Sequence, residues 1–116
     1  MDRRVRLELA RCQDFPEGSA RHGYLLLLPL DAAGHLEHDG WLAHRRRYGF
    51  RRFWDDEEER YGELRHGRNG WILHMDEAAA DEAIFKGERH CFAPGEYVSI
   101  REYDGRDRTF RVTKVG

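Results

Sequence analysis

The strongest constraint on this chain is its C-terminal stretch "GEYVSIREYDGRDRTFRVTKV", residues 95–115, where two alternating runs flank Asp104-Gly105. Apolar–polar alternation puts one face on a core and the other in water, and Asp-Gly between such runs marks a hairpin. The length of the turn then fixes the register. A two-residue loop would set Val98 opposite Arg111 and Ile100 opposite Thr109, mixing the two faces. A three-residue loop, Tyr103-Asp104-Gly105 with Gly105 left-handed, sets Val98 opposite Phe110, Ser99 opposite Thr109 and Arg101 opposite Asp107. That register pairs apolar with apolar and joins opposite charges. The sequence therefore predicts the three-residue loop, with Phe110 on the core face.

The rest of the chain reads in the same idiom. "RRVRLELA" (3–10) alternates, with Val5, Leu7 and Leu9 on one face. "GYLLLLPL" (23–30) is a continuous apolar strand, central or covered on both sides, with Pro29 near its end, where a missing N–H is tolerated. "HDGWLAHRRRYG" (38–49) predicts one short helix near 40–47. Asp39 suits the N-cap, Arg45, Arg46 and Arg47 the last turn, and Gly49 a left-handed stop, with Trp41, Leu42 and Tyr48 inward. "FRRFW" and "YGELRH" form a hairpin around the acidic tip "DDEEER". "RNG" turns the chain into "WILHM", with Trp71, Leu73 and Met75 on one face. "DEAAADE" is a loop or one helical turn, and "AIFK" and "HCF" are short apolar pieces around Gly87. Closely spaced strands with turn signals predict one domain over 1–116. The expected fold is a mainly β, small antiparallel barrel or strongly curved sheet of about seven to eight strands with one short helix.

Composition bounds the function. With 40% hydrophobic and 12% aromatic residues the chain can offset its folding entropy. Twenty basic against twenty-two acidic groups give a formal charge of −2, so polyanion binding would need a local patch rather than a global field. Cys12 and Cys91 form no CxxC and no disulfide framework, which fits a reduced, cytoplasmic protein. The N-terminal run carries charges where a signal peptide would be apolar. "YLLLLPL" is far below the ~18 apolar residues of a membrane span, so no membrane association is expected.

"WLAHRRRYGFRRFW" (41–54) interleaves arginines with aromatics. Nucleic-acid binding needs such cations for phosphates and exposed rings for bases. Arg45, Arg46, Arg47, Arg51 and Arg52 supply the first, and Trp41 and Trp54, with Phe50 and Phe53, the second. Against this, a small barrel needs most of those aromatics inside, and Asp55–Glu59 cancel the five arginines locally. On a strand, Arg51 and Arg52 point to opposite faces, so one of them heads inward and needs a carboxylate partner there.

Other chemistry is weakly signalled. His35, His38 and His44 lie close in sequence, His90 adjoins Cys91, and His66 and His74 sit on neighbouring strands. No HxxH or CxxC pair closes a zinc set, so scattered surface histidines and no metal site are expected. Asp76, Glu77, Asp81 and Glu82 lack the ligand spacing of a calcium loop and are expected to form a solvated loop. His90 and Cys91 are adjacent and would point apart on a strand, acid pairs such as Glu57 and Glu63 follow from composition, and no GxSxG, phosphate loop or HExxH occurs.

Two resemblances complete the reading. "FAPGEYVSI" (92–100) resembles the strand F-x-P-G-Q-Y-V-x-[IL] of the flavin-binding barrel in ferredoxin-reductase-like proteins. The arginine–aromatic–Ser/Thr motif that follows in that family is missing, so no flavin residue is carried over and no cofactor is expected. "RHGYLLLLPLD", "RRFW" and "FAPGEYVSIREYDG…TFRV" resemble a group of small uncharacterised bacterial proteins, which implies a stand-alone domain of this size and no particular activity.

Three functions follow, in order. The first is a non-catalytic cytoplasmic binding module for an unknown protein or small ligand, with self-association through a strand edge as one form. The second is a nucleic-acid-binding barrel using Arg45–Arg52. The third is a small-ligand or metal-dependent enzyme built from separated histidines and acids.

Overall fold

The computed structural model describes residues 1–68, 70–76, 81–84 and 90–116. Its strands are β1 (Asp2–Leu9), β2 (Ser19–Pro29), β3 (Gly49–Trp54), β4 (Arg60–Gly67), β5 (Gly70–Met75), β6 (Glu82–Ile84), β7 (Tyr97–Arg101) and β8 (Asp107–Val115). All pair antiparallel with their chain neighbours, and β8 pairs with β1 to close a barrel. One short helix, α1 (His38–Ala43), and a 3₁₀ turn, Arg45–Arg47, lie in the β2–β3 connection. No helix among the described residues is long and apolar enough to cross a membrane.

The pleat decides what fills the barrel. Val5, Leu7 and Leu9 of β1 are buried, as are Trp71, Leu73 and Met75 of β5. On β2 the expected double coverage is replaced by alternation: Tyr24, Leu26 and Leu28 face the core, while Leu25 and Leu27 are half-buried on the outside. Two glycines inside strands mark where backbones come too close for a side chain. A Cβ on Gly23 would lie 1.9 Å from the Leu7 carbonyl oxygen, and one on Gly62 would lie 2.0 Å from that of His74.

The C-terminal hairpin has the predicted register, with Val98 opposite Phe110, Ser99 opposite Thr109 and Arg101 opposite Asp107. Gly105 has φ +82°, and the loop is closed by Glu102 and Arg106. The Asp107 carboxylate receives Arg101 Nε at 2.8 Å.

The helix departs from its sequence reading. Glu37, not Asp39, is the N-cap residue, and it makes no side-chain cap bond. The helix ends at Ala43, so the three arginines sit in a separate 3₁₀ turn, and Gly49 opens β3 instead of stopping the helix. Leu42 is 53% exposed. Docking outweighs capping here. The buried Trp41 donates its indole Nε1 to the Leu64 carbonyl at 2.8 Å, and its ring packs edge-on against Trp71. Tyr48 is buried as expected.

Each described strand has a paired neighbour on both sides, which closes the barrel. The barrel has two distinct ends. Residues 10–18, the acidic tip 55–59 and the 102–106 turn lie at the hairpin end. The β2–β3 connection with α1 and the 3₁₀ turn lies at the helix end. The segments "DEAAADE" and "AIFK" fall largely on 77–80 and 85–89, outside the described residues.

Candidate functional site

The inward arginine is Arg52. It is 3% exposed, on the same face of β3 as Phe50, while Arg51 points outward to Glu59 at 3.5 Å. Arg52 Nε donates to Glu102 Oε2 at 2.9 Å. Glu102 follows β7 and is 1% exposed. Its other oxygen receives Arg108 Nη1 at 2.5 Å, from the inward face of β8. Arg108 also bonds Asp104 through Nη2 at 3.0 Å. The Arg52 guanidinium lies 4.0 Å from the Trp54 ring centre and 5.2 Å from that of Tyr103. A buried arginine desolvated this far is held charged by the carboxylate and flanking ring faces. Burial alone would lower its pKa, but the bonded Glu102 raises it.

A second carboxylate completes this cluster. Glu82, at the start of β6, is fully buried. Tyr24 Oη lies 2.7 Å from Glu82 Oε1 and also bonds Glu102 Oε2. Glu82 Oε2 accepts the Tyr103 backbone N–H at 3.0 Å. Burial pushes the Glu82 carboxyl up to about 7, with the neighbouring Glu102 charge adding to it. Burial, then Glu102, raises the Tyr24 phenol well above its usual value. Beside this cluster His22 packs between Phe15 and Trp54 and pairs with Ser19 Oγ at 2.6 Å, and burial lowers its pKa.

These groups have the chemistry of an acid–base site but not the access. Glu82, Glu102 and Tyr24 are at most 1% exposed. Among the described residues no buried side-chain polar atom lacks a hydrogen-bond partner. A substrate atom entering the cluster would have to displace an internal bond.

The arginine-rich stretch is divided between the barrel's ends. Arg52 and Trp54 belong to the buried cluster at the hairpin end. Arg51 is committed to Glu59, Phe50 is buried, and Phe53 is half-buried with the Arg6 guanidinium 4.6 Å from its ring. Arg45, Arg46 and Arg47 lie at the helix end beside Trp41, which is 5% exposed and spent on the core. Arg47 bonds Asp2 at 3.0 Å. Arg45 and Arg46 are exposed and have no acidic partner among the described residues; the Arg45 guanidinium stands 6.0 Å from the Trp41 ring.

Arg45 and Arg46 line a recess of about 350 Å³ with Trp41, Glu63, Leu64, Arg65 and His66. Arg65 is bonded to Glu63 at 2.7 Å, which neutralises that pair. The acids 55–59 that cancel these arginines in sequence follow the far end of β3. Six strand residues separate the two groups, roughly 20 Å at the usual rise per residue. Segregation along the barrel axis thus leaves a net positive recess at the helix end.

The histidines do not converge on one point. His38 and His66 pack edge-on with ring centres 4.8 Å apart, His35 lies 3.8 Å from Asp31, and His44 is exposed. His66 shares the inward face of β4 with Leu64, whereas His74 points outward to Asp81 at 2.7 Å. Among the described residues no three His, Cys, Asp or Glu side chains are grouped to hold a metal ion. Cys91 Sγ donates to the Ala33 carbonyl at 3.1 Å, and Cys12 is exposed.

One of Arg51 and Arg52 turns inward as expected, whereas Tyr24, Glu102 and Arg108 carried no such expectation, and Glu82, expected in a solvated loop, is fully buried at the start of β6. Parity was the available signal. Tyr24 shares parity with Leu26, Glu82 with Ile84, Glu102 with Ile100, and Arg108 with Phe110, so each charged group occupies an inward position.

The chain matches no protein-family model, no curated protein and no solved structure.

Proposed function

We propose that this chain is a non-catalytic cytoplasmic binding module whose site is the basic recess at the helix end, and that it takes a ligand bearing a phosphate or carboxylate group. The observation that carries this reading is the pair Arg45 and Arg46, exposed at the recess without an acidic partner among the described residues. Paired guanidinium forks suit oxyanions in geometry as well as charge. The recess volume falls in the range of small-ligand sites. The non-catalytic part of the reading draws support from the closed Tyr24–Glu82–Glu102 cluster, whose reactive groups serve one another.

Nucleic acid is the second reading, and the same two arginines favour it. Its base-stacking half is weaker, because Trp41 is buried and Trp54 lies at the opposite end. Titration with sodium pyrophosphate, followed by tryptophan emission, tests the first reading. Anisotropy of a labelled single-stranded oligonucleotide at low and moderate salt tests the second. The expected result is saturable pyrophosphate binding that R45E/R46E weakens at least tenfold. Oligonucleotide binding alone, falling steeply with salt, would establish the second reading. Absence of saturable binding of both probes at low salt overturns both.

A further inference from the structure

The Tyr24 hydroxyl has one hydrogen and two carboxylate neighbours. Its oxygen is within hydrogen-bond distance of Glu82 Oε1, at 2.7 Å, and of Glu102 Oε2. A phenol donates one bond, so the second contact needs a hydrogen from a carboxyl group. The surroundings identify which one. Glu102 receives Arg52 on one oxygen and Arg108 on the other, so both of its oxygens already face guanidinium N–H donors. Glu82 has no cation in contact among the described residues and receives only the Tyr103 backbone N–H, on Oε2. Its Oε1 is left facing the phenol oxygen.

We propose that the barrel core stores one proton on Glu82 Oε1, donated to Tyr24 Oη, which in turn donates to Glu102 Oε2, and that loss of this proton loosens the seating of β6. The ionised product would place a second carboxylate in a fully buried site beside Glu102, with Tyr24 able to serve only one of the two. β6 is where this acts: among the described residues it is three residues long, registering with β7 through Ala83–Arg101 and Ile84–Ile100 and with β5 through Ile72–Ala83 and Leu73–Glu82. Its two inward side chains are Ile84, packed in the core, and Glu82, bonded to Tyr24 and to the Tyr103 backbone.

The charged groups around Glu82 come from every side. Tyr24 comes from β2 and Arg52 from β3, with Glu57 at 3.7 Å behind Arg52. Arg60 of β4 stacks on Tyr103 at 4.5 Å, Glu102 follows β7, and Arg108 with Asp104 comes from the β7–β8 hairpin. Opposite Glu82 on β5 stands the apolar Leu73. Adjacent Asp81 is turned outward to His74.

The sign follows from linkage. The Glu82 carboxyl lies near 7 in the barrel against 4.5 for a free glutamate. Between those values the folded state holds a proton that the unfolded state has released. Stability from this group is complete below about 4.5 and is lost as pH rises toward about 7. His22, whose pKa is lowered, has the opposite slope in an overlapping range. The difference between two variants that both keep His22 cancels it.

The experiment compares the wild type with E82Q by denaturant unfolding from pH 4.5 to 8. A glutamine amide can donate to Tyr24 Oη and accept from Tyr103 N–H without a titratable proton. The wild-type unfolding constant should rise relative to that of E82Q by about tenfold per pH unit inside the window, the slope of one proton. At pH 6, where ordinary carboxyls are almost fully ionised, the protonated-carboxyl C=O infrared band should be stronger in the wild type than in E82Q by one carboxyl. If E82Q fails to fold, the wild-type band decides alone: one carboxyl equivalent should be present at pH 6 and lost by pH 8, and its absence at pH 6 overturns the proposal. Parallel stability curves for the two proteins also overturn it.

Discussion

Arg51 and Arg52 are neighbours on β3, and the pleat sends them to different fates. Arg51 keeps to water beside Glu59, whereas Arg52 enters the core and is held by Glu102. Removing Arg52 takes one of two guanidinium partners from the buried Glu102 and leaves its Oε2 without a cation, which costs more than the pair contributes. R52M should therefore destabilise the barrel by about 3–5 kcal/mol in denaturant melts, while R51M should stay within about 0.5 kcal/mol. Equal effects would mean that the ion pair is not structural. Phe110 tests the opposite chemistry, again with a single side chain. It is fully buried against Tyr24 and Trp54, so F110A should cost about 3–5 kcal/mol. A loss below ~1 kcal/mol would show the hairpin face to be reversed.

Among the elements, the β7–β8 hairpin was legible because three local signals agree. Alternation, turn chemistry and cross-strand charge pairing all select one register. The helix was less legible. Its cap residues pointed to Asp39 and Gly49, but Trp41 docking on Leu64 sets where the segment lies, and a six-residue helix has little propensity energy with which to resist. Glycines separate local from tertiary demands in the same way. Gly105 has φ +82°, and a Cβ placed on it would meet nothing within 4 Å, so G105A should cost about 1 kcal/mol of backbone strain alone. Gly23 has ordinary φ but a carbonyl oxygen 1.9 Å from where a Cβ would sit. G23A should cost more than G105A, about 1–3 kcal/mol or above, because the β1–β2 pairing must shift. Thermal melts of the two variants check the order.

Across the whole molecule, charge is arranged by strand length. Residues 45–59 carry five arginines and five acids, yet β3 separates Arg45 and Arg46 from Asp55–Glu59 by roughly 20 Å. The screening length at physiological salt is about 8 Å, so the two groups barely interact. Converting Asp55–Glu59 to their amides should therefore leave pyrophosphate affinity at the recess within about twofold at 0.15 M salt, measured by the same emission titration. A large gain would show that the acids reach the recess. The strand-rich class, the hairpin register and the inward turn of one of two adjacent arginines could all be read from the chain alone. They follow from a period of two and from turn chemistry, both local. Which arginine turns inward, and which carboxylates meet it, needed the fold. Glu82 and Glu102 come from different strands, and which inward positions share a level depends on the register of the closed barrel. Closure, too, depends on how all eight strands are joined.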